Sequence, residues 1–274
     1  MKCYAFVVIT ACASIASAQY NHDPSSQFGP NHWGTLSFSN ATCGDSVLGP
    51  VGLKQSPINI VTSGVQSASL IPLAFRYKPT KEVVENTGHY IEVVYDSGST
   101  LVVGPNPTDS YSLSQFHFHA PAEHTIDGFQ FDAEMHLVHT NALGDTAVVA
   151  VLLLSSPTGL DKFTEIINTA PDMANGEAEG PTPVNVLNLL PKAKGFYTYS
   201  GSLTTPSCAE GVHFFIMKNP VPITPAALSK LHSLISDFPN YAHYPNNNRP
   251  VLPLGSRTVL KTIDSQGSGD NDDQ

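Results

Sequence analysis

Short segments rich in β-branched and aromatic residues recur along the chain and limit what it can fold into. Gly, Pro, Asn and Asp separate these segments, a pattern typical of β-strands joined by turns. The 22 prolines and 20 glycines fit many turns and few long helices. Strands are predicted within His89–Asp96, Thr100–Gly104, Ser114–Ala120, Ala133–Thr140 and Thr146–Leu154.

Two segments show helical spacing of apolar residues instead. The first is Gly159–Ala170. The second, Ile223–Phe238, begins with Thr224 as an N-cap and Pro225 at the first helical position. Because no internal linker interrupts the pattern, we predict a single domain. Its predicted fold is mainly β with a few short helices, built on a large twisted, mostly antiparallel sheet.

The N-terminal residues resemble a secretory signal peptide. Lys2 precedes an apolar stretch, Tyr4–Ala13, and Ala16-Ser17-Ala18 has the small residues that a signal peptidase accepts. The stretch is too short to span a bilayer, although a short membrane anchor is the alternative. We expect residues 1–18 to be removed, residues 19–264 to form the domain of a secreted, extracellular protein, and the acidic residues 265–274 to be disordered.

The formal net charge of −10 argues against nucleic acid as a partner. Beyond the first residues, the sequence has no apolar stretch long enough for a membrane helix, so no membrane partner is expected. The sequence leaves the oligomeric state open, a homodimer included.

Four cysteines divide between the predicted signal peptide and the domain. Cys3 and Cys12 would leave with the signal, whereas Cys43 and Cys208 would remain. In an oxidising compartment such a pair is expected to form a disulfide, and two free thiols are the alternative. Asn40 begins the sequon Asn-Ala-Thr and is a candidate glycosylation site on a surface loop.

Histidines cluster on two of the predicted strands. In Gln115–His119 the polar residues fall at every second position, so Gln115, His117 and His119 share one face of a strand. The same period places Glu134 and His136 on one face of the second strand.

Pairing of these strands would bring the three imidazoles together. Gln115 and Glu134 are placed to accept hydrogen bonds from imidazole N–H groups. Three neutral nitrogen ligands suit zinc and leave a fourth tetrahedral position open, which is the catalytic arrangement. We therefore predict that His117, His119 and His136 bind Zn²⁺. A helical metallopeptidase signature is disfavoured because Pro121 interrupts the sequence between His119 and His124.

These residues belong to a set of motifs that resembles the alpha class of carbonic anhydrases, in its secreted, single-disulfide form. The resemblance implies a zinc lyase that reversibly hydrates carbon dioxide to bicarbonate and a proton, with side activity toward esters. The motifs are GPNHWG (Gly29–Gly34), QSPINI (Gln55–Ile60), NTGH (Asn86–His89), QFHFHAPAEHTIDG (Gln115–Gly128), AEMHLVH (Ala133–His139), GSLTTPSC (Gly201–Cys208) and NRP (Asn248–Pro250).

The resemblance also implies roles for individual residues. Thr204 matches the threonine that accepts a hydrogen bond from zinc hydroxide and donates to a buried carboxylate, here Glu123; an ionised carboxylate can only accept. Thr205 matches the neighbour that lines the bicarbonate site. His89 matches the proton shuttle, an exposed imidazole with a pKa near 6.5. The apolar wall beside carbon dioxide is matched by Val138, Val148, Leu203 and Val212, and the disulfide by Cys43 and Cys208.

Several positions depart from the family pattern. The N-terminal tyrosine of the family has no clear counterpart, although Tyr20 is a candidate after a gap. Glu92 stands where an amide is usual, and Phe214 replaces a tryptophan. These departures put the rate of proton transfer in question. The alternatives are a non-catalytic binding module, a zinc esterase with a natural ester substrate, and a structural secreted protein.

Overall fold

The computed structural model describes residues 20–36, 43 and 54–263. The predicted signal peptide, Asn40 and the predicted acidic tail lie outside these residues. Among the residues that the structure describes, none of the helices is long and apolar enough to cross a membrane.

The described residues form a large sheet and a small one. The strands are β1 (Asn59–Ile60), β2 (Gln66–Ala68), β3 (Ala74–Arg76), β4 (Val83–Asn86), β5 (Ile91–Val94), β6 (Thr100–Val102), β7 (Ser110–His119), β8 (Thr125–Ile126), β9 (Phe129–Gln130), β10 (Ala133–Thr140), β11 (Thr146–Ser155), β12 (Gly176–Glu179), β13 (Phe196–Ser202), β14 (Glu210–Met217), β15 (Val221–Ile223) and β16 (Leu260–Thr262). The large sheet has the order β12-β4-β5-β7-β10-β11-β14-β13-β16-β2, with β3, β6 and β15 attached beside this path. Strands β1, β8 and β9 form the small sheet.

Antiparallel pairs predominate in the large sheet, as the sequence predicted. Strand β10 pairs antiparallel with both β7 and β11. Among the described strands of the large sheet, the exceptions are the parallel pairs β11–β14, β11–β15 and β16–β2. The sheet is therefore mixed but mostly antiparallel, and the prediction of a mainly β domain is confirmed.

The central strands bury both faces, and their alternation separates two cores. Phe116, Phe118, Met135 and Leu137 point to one face, where they join the larger apolar cluster. The imidazoles lie on the other face, beside a smaller apolar cluster that contains Val148. The three imidazoles are therefore backed by a packed core.

Two α-helices cover the face with the larger cluster. Helix α1 (Asp161–Thr169) and helix α2 (Pro225–Ser236) lie within the two predicted segments. The Thr224 hydroxyl accepts a hydrogen bond from the Ala227 N–H, which is the predicted N-cap. Phe163 of α1 packs edge-on against Phe118, with 6.0 Å between ring centroids, and so supports the strand that carries His117 and His119 from behind.

A short N-terminal segment closes over one side of the site. Trp33 is fully buried, and its indole N–H donates to the main-chain oxygens of Asn21 and Phe28. Asn21 Nδ2 donates to the main-chain oxygen of Asn240 at 2.8 Å. These contacts hold the segment in which Tyr20 stacks on His89.

Candidate metal centre

Strand register brings the three predicted ligands together. His136 on β10 lies directly opposite His117 on β7, and His119 is two residues further along β7. One ring nitrogen from each imidazole lies within 4.8 Å of the others. His117 Nε2 and His119 Nε2 are 3.1 Å apart. All three side chains are buried.

Each imidazole uses its other ring nitrogen as a hydrogen-bond donor. The acceptors are all oxygens, so each of these nitrogens carries the proton. The bonds join His117 Nδ1 to Gln115 Oε1 (2.9 Å), His119 Nδ1 to the Asn247 main-chain oxygen (2.9 Å) and His136 Nε2 to Glu134 Oε1 (2.7 Å). The nitrogens left free for a metal are therefore Nε2 of His117, Nε2 of His119 and Nδ1 of His136.

Burial keeps the three imidazoles neutral. It lowers the pKa of His119 to about 4 and that of His117 well below its usual value. Burial also lowers the pKa of His136, although the carboxylate of Glu134 opposes the shift. Three neutral, converging nitrogen donors with fixed outer hydrogen bonds fit a tetrahedral zinc ion that keeps one position open.

Glu134 accepts four hydrogen bonds at the site. Its Oε2 accepts hydrogen bonds from the main-chain N–H groups of Glu123 and His124, at 2.8 and 2.7 Å. Its Oε1 accepts from the rings of His124 and His136. Although burial opposes it, these two histidines lower the pKa of Glu134, so the carboxyl group is ionised. His124 is thus a partner of Glu134 and does not belong to a helical peptidase motif.

Glu123 and Thr204 meet next to the imidazoles. The Arg249 main-chain N–H donates to Glu123 Oε1 at 2.9 Å. Burial raises the pKa of Glu123 to about 7, whereas His136, Arg249 and a hydrogen bond from Thr204 lower it. Glu123 Oε1 lies 3.6 Å from His119 Nδ1, so a cation bound by the three imidazoles would favour the carboxylate form.

A small cavity of about 160 Å³ opens beside two of the imidazoles. Val212 is not among the residues lining it; this side chain is buried in the smaller apolar cluster with Val148 and Phe214. Three of the five other predicted substrate residues, Val138, Val148 and Leu203, form an apolar side, and Thr204 and Thr205 add polar groups. The lining comprises Tyr90, Gln115, His117, His136, Val138, Val148, Ser202, Leu203, Thr204, Thr205 and Phe214.

His89 and Tyr20 stack on each other near this site. Their ring centroids are 3.9 Å apart and their planes differ by 7°. The sequence predicted an exposed His89 imidazole, but here it is half-buried, and burial lowers its pKa to about 4. The Tyr20 hydroxyl forms a hydrogen bond with the Thr205 side chain. Tyr20 therefore lies at the site, whereas the sequence had left its role open.

The two other positions that depart from the family pattern, Glu92 and Phe214, have different surroundings. Glu92 is half-buried on β5 opposite His117, and burial, with Glu85 as a second cause, raises its pKa to about 7. Phe214 stacks on Tyr199 with 5.4 Å between centroids and lies 5.1 Å from the His124 ring. An apolar ring can fill that position because the hydrogen bonds of His124 go to other partners.

The disulfide between Cys43 and Cys208 is confirmed. The Cys208 N–H donates to the Thr205 main-chain oxygen at 2.7 Å. The Arg249 guanidinium donates to the main-chain oxygens of Cys43 and Ser56. The bridge therefore ties the Thr204–Thr205 turn to a buried arginine whose backbone also binds Glu123.

Two residues of the site, Asn247 and Tyr90, were not predicted from the sequence. Asn247 accepts from His119 and, through Nδ2, donates to the main-chain oxygens of His89 and Phe118. Its separation of 128 residues from His119 leaves no local pattern that could reveal the contact. Tyr90 was also missed, although its position directly after His89 on a predicted strand was a usable signal.

Comparison with known proteins places these features in a family. The family described as eukaryotic-type carbonic anhydrase matches residues 28–263. A carbonic anhydrase of Klebsiella pneumoniae is 36% identical over 234 residues, which cover 85% of this chain and 87% of that protein.

Two solved structures are similar to this chain in fold and sequence. The alpha-carbonic anhydrase of Thermovibrio ammonificans, in complex with the inhibitor sulfanilamide, is 32% identical with a TM-score of 0.78 and covers 89% of this chain and 99% of that chain. Dioscorin complexed with ascorbate is 27% identical with a TM-score of 0.77, covering 90% and 100% respectively.

Proposed function

The chain belongs to the eukaryotic-type carbonic anhydrase family, and we propose that it is a secreted zinc enzyme that reversibly hydrates carbon dioxide to bicarbonate and a proton. The observation that carries this proposal is the convergence of three neutral imidazoles, each fixed by a second hydrogen bond, beside Thr204 and Glu123.

His117, His119 and His136 would hold the zinc ion, through the three ring nitrogens that the hydrogen bonds leave free. When bound, zinc lowers the pKa of a coordinated water to about 7 and so supplies a nucleophile at neutral pH. Gln115, Asn247 and Glu134 fix the ring orientations and keep the proton off the ligand nitrogens.

Thr204 orients the nucleophile. When Glu123 is ionised it can only accept hydrogen bonds, so the Thr204 hydroxyl would donate to it. The oxygen of Thr204 is then left to accept a hydrogen bond from the attacking group. This arrangement directs an oxygen lone pair of that group toward the substrate.

Carbon dioxide would lie against the apolar side of the cavity. Val138, Val148 and Leu203 present aliphatic groups there, and they leave the linear, apolar substrate without competing polar partners. Thr205 lies at the polar side and would contact bicarbonate. Val212 would act from behind, by packing in the same apolar cluster as Val148.

His89 would carry the released proton to solvent. In its stacked position its pKa is about 4 because the ring is partly buried, so it is a poor proton acceptor there. When the ring leaves Tyr20 for solvent, its pKa returns toward 6.5, and the imidazole then exchanges protons near neutral pH. Rotation of the ring would therefore be part of proton release.

Secretion and the surface modification are further parts of the proposal. The disulfide is typical of an oxidising compartment. The signal-like residues 1–18 and the Asn40 sequon agree with passage through a secretory pathway. We propose removal of residues 1–18 and glycosylation of Asn40.

Two alternatives remain to be compared by experiment. The same nucleophile would attack activated esters, so we expect a side esterase activity; an enzyme evolved for esters would show the larger kcat/KM with its ester. A binding module would retain the fold without turnover. Sulfanilamide, which the Thermovibrio ammonificans enzyme binds, is proposed to bind this site as well.

The proposal is tested by stopped-flow hydration of carbon dioxide with the zinc content measured in each sample. His136→Ala should abolish hydration and most zinc binding because it removes one of three ligands. His213→Ala is the matched control, since His213 is exposed on β14 and its hydrogen bond goes to Thr198. Full activity in His136→Ala, or a wild-type protein that prefers an ester, would contradict the proposal.

A further inference from the structure

Tyr90 lies directly against a metal-binding histidine. Its ring centroid is 4.5 Å from that of His117, and the two planes differ by 31°. The side chain is half-buried and lines the cavity. Tyr90 therefore occupies space beside the reaction centre, and the proposed mechanism gives it no role.

The main chain at Tyr90 is held independently of its side chain. The Tyr90 N–H donates to Thr87 Oγ1 at 3.1 Å, and the Thr87 hydroxyl and N–H both donate to the Tyr90 main-chain oxygen. These bonds close the turn that leads into β5. Substitution of the Tyr90 side chain leaves all of them in place, so the backbone at this position should be retained.

The cavity that Tyr90 lines is small. Its volume of about 160 Å³ lies below the range of roughly 300–1,000 Å³ that is usual for pockets that bind drug-sized ligands. Val138, Val148 and Leu203 also line this cavity, and the first two belong to strands whose neighbours fix them. A triatomic substrate fits such a space, whereas a substituted aromatic ring competes with the Tyr90 phenol for it.

We propose that Tyr90 is a specificity-determining residue, whose ring restricts the space beside His117 to small substrates and disfavours bulky esters and aromatic ligands. The inference rests on the proposed carbon dioxide hydration for its substrate, and on the cavity geometry for the size limit. The phenol acts by its bulk and takes no part in bond making.

The test compares substrates of two sizes on the zinc-loaded protein. For Tyr90→Ala, kcat/KM toward 4-nitrophenyl acetate should rise by about tenfold or more, while that for carbon dioxide should change by less than about threefold. Tyr90→Phe keeps the ring and should retain the wild-type ratio. Phe129→Ala removes an exposed aromatic ring on β9 and serves as the control for ring loss elsewhere.

An unchanged ratio of the two kcat/KM values in Tyr90→Ala would overturn the proposal, as would an equal rise in Tyr90→Phe. If Tyr90→Ala does not fold, Tyr90→Leu provides the same comparison with a smaller loss of volume. An increase in the ester-to-carbon dioxide ratio for Tyr90→Leu would support the size limit, and an unchanged ratio would again contradict it.

Binding calorimetry separates this proposal from the proposed function. The affinity of zinc-loaded protein for sulfanilamide, relative to thiocyanate, should rise by about tenfold in Tyr90→Ala. This ratio reports the size limit even if the wild-type protein fails to hydrate carbon dioxide, an outcome that would refute the function alone. Weaker sulfanilamide binding in Tyr90→Ala would show that the ring assists aromatic ligands and would refute the size limit.

Discussion

At the scale of single residues, the second hydrogen bond of each imidazole decides which nitrogen is free. His117 and His119 donate through Nδ1, whereas His136 donates through Nε2. The acceptors differ in kind: an amide oxygen, a main-chain oxygen and an ionised carboxylate. Because these acceptors already hold the rings, the proposed binding of a metal would require little reorganisation.

Thr204 gives the sharpest test of orientation at this scale. Thr204→Val keeps the shape of the side chain but removes the hydroxyl between Glu123 and the nucleophile, so kcat/KM for carbon dioxide should fall by about 100-fold. Zinc content should stay at the wild-type level. Thr204→Ser restores a hydroxyl and should recover most of the rate. Wild-type hydration by Thr204→Val would remove this residue from the mechanism.

Because the His139 imidazole is buried, we expect the protein to lose stability in acid. Its Nε2 lies 2.7 Å from the Tyr77 hydroxyl in the larger core, and burial lowers its pKa from 6.5 to about 4. Between these values the unfolded chain binds a proton that the folded protein does not, so stability is present above pH 6.5 and lost as pH falls toward 4. The contribution is at most about 3 kcal/mol.

His139→Gln cannot take up that proton. Urea unfolding of wild type and variant should therefore give a difference in unfolding free energy that narrows as pH falls from 6.5 to 4. The other titrating groups are shared and cancel in this comparison. Parallel pH profiles for the two proteins would show that His139 does not carry the effect.

At the scale of elements, strand alternation explains which features of the site could be predicted from the sequence. The two-residue period placed His117 and His119 on one face of β7, and the observed register sets His136 opposite His117. Local signals also located α2, because its N-cap Thr224 and the following proline are adjacent in sequence.

Contacts between distant segments could not be read in this way. His22 in the N-terminal segment bonds through Nδ1 to the Tyr241 hydroxyl, across 219 positions. Each residue taken alone is an ordinary polar or aromatic side chain in a turn-rich segment. Only the folded chain shows that this pair, together with Asn21 and Asn240, fastens the segment that carries Tyr20.

We expect the contact between His22 and Tyr241 to contribute to the free energy of unfolding. Tyr241→Phe removes the hydroxyl and leaves buried His22 Nδ1 without its partner, and Nε2 of the same ring already makes no hydrogen bond within the described residues. The free energy of unfolding in urea should fall by about 1–3 kcal/mol. Tyr244→Phe alters a half-buried neighbour and should change it by less than about 0.5 kcal/mol. Equal effects of the two changes would contradict this assignment.

At the scale of the whole molecule, the two faces of the large sheet have different roles. One face carries the larger apolar cluster and both helices, and the other carries the imidazoles, the cavity and the smaller cluster. The disulfide and Arg249 then join the N-terminal part of the described chain to the Thr204–Thr205 turn. This division lets the site retain its buried polar groups while the core behind it remains mainly apolar.

Carbon dioxide hydration, measured while zinc is titrated into the metal-free protein, is the most direct test of the proposed function. If His117, His119 and His136 form the one catalytic site, the rate should rise in proportion to zinc and reach its plateau at one zinc per chain. The melting temperature should rise with it, since a ligand that binds only the folded state stabilises that state. A fully zinc-loaded protein that does not hydrate carbon dioxide, or a rate independent of zinc, would contradict the proposed function.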